Sequence, residues 1–105
     1  MKRGEVWWAD LPQPAGRHPV LLLSRNAAYN IRTSLTVAVI TRTIRNIPVE
    51  VSLGQQDGMP EKCIVNLDNI ITIPKTILFE RISALSPDKM AEAAKAIAFT
   101  LDLNL

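Results

Sequence analysis

Near Ser86 the hydrophobic pattern changes period. Before it, apolar and β-branched residues come in short runs closed by Pro, Gly or Asn; after it, they recur at helical spacing. A chain written this way predicts a small sheet followed by one helix. Gly4–Asp10 is rich in strand formers and runs into Leu11-Pro-Gln-Pro-Ala-Gly16, which cannot continue a sheet. Pro19–Ser24 is continuously apolar and reads as a central strand buried on both faces. Asn26–Asn30 predicts one helical turn, and strands are expected over Leu35–Thr41, Val49–Ser52, Cys63–Val65, Ile70–Ile73 and Phe79–Ser83. Ser86 is a good N-cap, Pro87 suits the first helical position, and Met90, Ala93, Ala94, Ile97, Ala98 and Leu101 are expected to share the apolar face of a helix ending near Leu101. The pattern as a whole points to a strongly bent antiparallel sheet or small barrel capped by a helix.

With 105 residues, of which Ile, Leu and Val make up 30, the chain is expected to be a single domain, 1–105, with a real core. Cys63 stands alone, which excludes an intramolecular disulfide, and His18 is the only histidine, too few for a protein-built zinc site. Metal-free chemistry with no cofactor is the expectation. No apolar run approaches the roughly 18 residues of a membrane span, and Met1–Glu5 does not open a signal peptide, so a cytoplasmic protein with no membrane partner is expected.

Charge is unevenly spread. Residues 1–45 carry seven bases against two acids, net +5, while the rest carries five against eight, net −3. Six of the seven early bases are Arg, whose fork grips phosphate at two points, so an anionic partner such as nucleic acid is indicated. Arg also solvates strand edges, which is the plainer explanation. His18 lies in a loop at the mouth of the central strand, away from any apolar face. Thr41, Arg42 and Thr43 directly follow the third strand, where hydroxyls and a guanidinium can bond phosphate oxygens, although Thr is also an ordinary strand residue. Trp7 and Trp8 must point to opposite faces, so one needs cover from outside the core; a subunit interface would supply it, base stacking being the sharper alternative. Cys63, in an apolar strand, reads as inert packing.

Several blocks, taken in order, resemble the MazF/PemK family of toxin ribonucleases. They are Lys2–Leu11, Gly16–Leu22, Val37–Thr41, Ile47–Val51, Cys63–Ile70 and Glu80–Leu85, followed by the final helix. The resemblance implies an SH3-like small barrel with a C-terminal helix, a homodimer, and the activity of an mRNA interferase: sequence-specific cleavage of single-stranded RNA. It also implies a cognate antitoxin whose extended tail fills the RNA groove. In the family an Arg directly before the second-strand Pro and a Ser or Thr after the third strand carry catalysis. Thr41 matches the second. His18 stands where the first is expected, with Arg17 one residue earlier, so proton transfer falls to His18 or to Arg17, or the enzyme is weakened.

Asp68 matches an acidic residue that assists catalysis in some members, and Arg25, Arg42, Thr43 and Lys62 are the RNA-binding candidates. Imidazole, titrating near pH 6.5, suits proton transfer better than an always-charged Arg. The implied reaction uses the RNA's own 2′-OH, leaving a cyclic phosphate and a 5′-OH end. A catalytically weakened RNA-binding relative is one alternative. A topoisomerase-poisoning toxin of the same fold is another, but those use a Trp near the C-terminus, where this chain ends in Leu101–Leu105.

Overall fold

The computed structural model describes residues 1–104. Six strands form one sheet: β1 (Glu5–Asp10), β2 (Arg17–Leu22), β3 (Ser34–Thr41), β4 (Glu50–Leu53), β5 (Cys63–Pro74) and β6 (Leu78–Ala84). A single helical turn, α1 (Ala28–Ile31), follows β2, and α2 (Pro87–Thr100) ends the fold. The sheet runs β4-β5-β3-β2-β1-β6 with every pair antiparallel, and it curls into half a barrel.

β2 lies inside the sheet as its apolar run requires. Leu21 faces one core together with Val6, Ile40 and Val65, while Val20 and Leu22 face a second with Val37, Leu35 and Ile73. All three β2 residues are fully buried. α2 covers the first core. The Ser86 hydroxyl accepts the Lys89 backbone N–H at 3.2 Å, and Pro87 opens the helix.

Two expectations are corrected here. Cys63–Val65 and Ile70–Ile73 belong to one continuous strand, not two. Asn66-Leu-Asp-Asn69 has turn-like composition, but Val39 of β3 pairs with Asn66 while the adjacent Ala38 pairs with Ile70, so the intervening residues bulge without breaking the ladder. Leu67 anchors this bulge: its side chain is fully buried and its N–H donates to the Val49 carbonyl at 2.9 Å. On α2, Ala93 and Ala96 are the buried positions, flanked by Met90 and Ile97, whereas Ala94 and Leu101 are exposed. One narrow stripe of the helix meets the curved sheet, and Leu101 already lies past the last helical residue.

β4 and β6 stand at opposite edges of the sheet and do not pair. A side-chain contact links them instead. The turn after β4, Gln55–Gly58, reaches β6, where the Ser83 hydroxyl donates to the Asp57 carbonyl at 2.5 Å. Gly58 makes the approach possible, with φ of +83° and with a Cβ there falling 2.3 Å from Ser83 Oγ. Gly58→Ala is therefore expected to destabilise the fold by about 2–3 kcal/mol, measured as a lowered urea midpoint with an unchanged slope.

Candidate active site at the β2–β3 end

The β2–β3 ladder ends at Val20↔Val39, and just beyond it His18 of β2 and Thr41 of β3 line the same two depressions. His18 is half-buried, and its Nδ1 lies 3.1 Å from the Ile40 carbonyl oxygen. A carbonyl can only accept, so in neutral His18 Nδ1 carries the proton and donates, leaving Nε2 with the free lone pair. The backbone thus selects the tautomer and fixes the ring. Thr41 Oγ1 accepts the backbone N–H of Thr43 at 3.2 Å, which leaves the Thr41 hydroxyl proton available to an incoming acceptor.

Two depressions, of about 440 and 730 Å³, meet at this point, and both are lined by His18, Thr41 and Thr43. The smaller has an apolar floor of Val39 and Ile71 with Arg45, Asn66 and Asn69 at its polar wall. Glu50 shapes that wall: its carboxylate accepts the backbone N–H groups of Arg45 and Asn46, each at 3.0 Å. The Asn66 side-chain oxygen Oδ1 is occupied by the Asp68 N–H at 3.0 Å, so the side-chain NH2 is left for a ligand. The larger depression holds Trp8, Arg17, Pro19, Arg42, Met59 and Glu61.

Its cations are held differently. Arg42 pairs with Glu61 at 2.9 Å through side chains 77% and 61% exposed, a contact of little net energy that phosphate can displace. Arg17 lies over the Phe79 ring, 4.9 Å from its centroid. Cys63 also lines this wall, where burial, reinforced by the Asp57 and Glu61 carboxylates, pushes its thiol pKa up. It remains a protonated packing residue at neutral pH.

Of the residues expected from the sequence, His18, Arg17, Thr41, Arg42 and Thr43 come together. Lys62 is exposed, next to Glu61 and Cys63 at the rim, and does not itself line the depression. Arg25 is exposed in the turn beyond the far end of β2, about 13 Å of strand and three further residues from His18. Asp68 sits on the β5 bulge, lines neither depression, and accepts a hydrogen bond from the Thr100 hydroxyl of α2.

Trp8, Arg45, Asn66, Asn69 and Glu61 went unassigned to the site in the sequence. For Asn66 and Asn69 a signal existed, two amides closely spaced within a strand that is mostly apolar on either side of them. Trp8 was legible as one of an adjacent pair needing cover, and the site wall is where it lies; Trp7 packs on the second core with its Nε1–H donating to Glu5 Oε1 at 2.9 Å.

Comparison with known proteins gives a consistent picture. A probable endoribonuclease, MazF2 of Mycobacterium tuberculosis, is 38% identical over 98 residues, covering 92% of this chain and 94% of its own length. The structure of the M. tuberculosis toxin MazF-mt6 superposes with a TM-score of 0.89 at 32% identity, covering 96% of this chain and 99% of that one. An endoribonuclease from a Mycobacterial species, solved in complex with its cognate antitoxin, gives a TM-score of 0.90 at 31% identity over 100% of this chain and 98% of its own. The family model for the PemK-like, MazF-like toxins matches residues 2–101. By its sequence along nearly the whole chain and by its fold, this protein belongs to the PemK-like, MazF-like toxins of type II toxin–antitoxin systems.

Proposed function

We propose that this toxin is an endoribonuclease that cuts single-stranded RNA by activating the RNA's own 2′-OH, with His18 as the base. The observation that carries the reading is the Nδ1 contact of His18 with the Ile40 carbonyl, which leaves Nε2 unprotonated at the meeting point of two depressions. RNA laid across that junction has its scissile phosphate beside His18 and Thr41 and one nucleotide in each depression.

His18 Nε2 takes the 2′ proton, the 2′ oxygen attacks phosphorus, and the P–O5′ bond breaks. The products are a 2′,3′-cyclic phosphate and a 5′ oxygen that takes a proton from solvent in the open cleft. The Arg17 guanidinium balances the extra charge on the phosphoryl oxygens, and the Thr41 hydroxyl donates to one of them. Arg42, released from Glu61, and Thr43 hold flanking phosphates, and Lys62 adds positive charge at the rim. Trp8 offers a π face to a base on one side, and Asn66 and Asn69 offer amides to a base on the other. Arg25 and Asp68, outside this group, are assigned no step. The nucleophile and leaving group both belong to the RNA, so no step calls for a metal or cofactor.

The chain acts as one domain, 1–105, and in the cytoplasm, where messenger RNA is reached; among the described residues no helix is long and apolar enough to cross a membrane. A relative of known structure is bound to its cognate antitoxin, and the basic cleft of Arg17, Arg42 and Arg45 suits capture of an acidic antitoxin segment here. The working form is a homodimer.

Incubation of the purified protein with a long transcript in EDTA, followed by end mapping, tests the reading. Cuts at a short recurring motif with 5′-OH ends are expected. Binding without cuts would mark an inert RNA-binding relative, and neither outcome would leave the topoisomerase-poisoning alternative.

A further inference from the structure

We propose that Phe79 is a positioning residue for Arg17: its bulged ring holds the guanidinium at the cleft while leaving every N–H donor free for the scissile phosphate. The proposal rests on the ribonuclease reading above and names a residue outside the depressions that reading uses.

Three observations support it. The β1–β6 ladder slips between Trp8, which faces Glu80, and Ala9, which faces Leu78, so Phe79 is the extra residue of a β-bulge with no partner across the strand. Phe79 is 46% exposed and belongs to neither hydrophobic core, so its ring is open to a side chain arriving over the sheet. Above that ring, at 4.9 Å, sits the Arg17 guanidinium, which must cross β1 from β2 to get there.

The partner Arg17 leaves aside is as informative. Asp10 lies directly across from it on β1, yet among the described residues Arg17 makes no ion pair within 4.0 Å. A carboxylate would neutralise the charge and occupy two of the in-plane donors. An aromatic face attracts the cation from above, so the charge persists and the donor fork in the guanidinium plane stays open. Arg42 shows the contrast, its NH1 already bound to Glu61. Arg17 is thus oriented in advance without being consumed, which is what stabilising a developing phosphoryl charge requires.

The test compares Phe79→Leu, apolar but without a π face, with Phe79→Trp, which strengthens it. Single-turnover cleavage of a short RNA is followed in EDTA, with melting temperatures recorded alongside. Phe79→Leu is expected to slow cleavage about three- to fivefold at saturating RNA, the size of an exposed cation–π contact, with KM and melting temperature unchanged. Phe79→Trp should keep the unmodified rate, and in an Arg17→Ala background Phe79→Leu should change nothing further.

Full activity of Phe79→Leu overturns the proposal. So does a Trp variant as slow as the Leu one, or an undiminished effect of Leu without Arg17. Each of these leaves the ribonuclease reading standing, whereas an unmodified protein that cuts no RNA removes both.

Discussion

Replacing His18 with Ala is expected to slow RNA cleavage by about 10²- to 10⁴-fold, the contribution of a well-placed general base, while folding and RNA binding persist. His18 is half-buried at a strand end and belongs to neither hydrophobic core, so its loss opens no cavity there. The measurement is single-turnover cleavage in chelator beside binding of an uncleavable oligonucleotide. A variant that cuts at the unmodified rate would pass the role of base to Arg17. Arg17→Ala in the same assay separates the two, because a residue that only stabilises charge leaves the base in place and lowers the rate by a smaller factor.

The second expectation concerns the substrate. Removing the 2′-OH from the single nucleotide 5′ of the cut should abolish cleavage at that site, with affinity retained within about tenfold, since phosphate contacts dominate binding and survive the change. The nucleophile is then missing while every protein group stays in place. Cleavage of that strand would mean water, not ribose, attacks phosphorus, and His18 would have to activate it. Together the two experiments assign the proton and the nucleophile independently.

Much of this is legible in the sequence. The buried β2, the capped α2 and the strand-rich first part follow from local composition, and all three are seen. His18, Arg17, Thr41, Arg42 and Thr43 were legible because they lie within a few residues of two strand ends. Asn66–Asn69 was misread as a break, since turn-like residues in a strand cannot be told from a bulge without the partner strand. Asp68 was credited by resemblance, but the bulge turns it toward Thr100 on α2. Arg25 counted toward the basic half of the chain, yet charge counts carry no information about which end of a strand a residue occupies.

Sequence alone determined where most of the strand-forming segments and the helix lie, where α2 starts, and that the chain has one imidazole, because propensity, capping and residue inventory are local properties. Tertiary structure decided that His18 and Thr41 line the same junction, that Trp8 and the Asn66 and Asn69 amides wall it, and that Phe79 meets Arg17 across an intervening strand. The physical reason is register. A strand's side chains alternate between faces, so a slip of one residue against a partner far along the chain sends each of them to the other side, and that choice is settled only when the whole sheet packs.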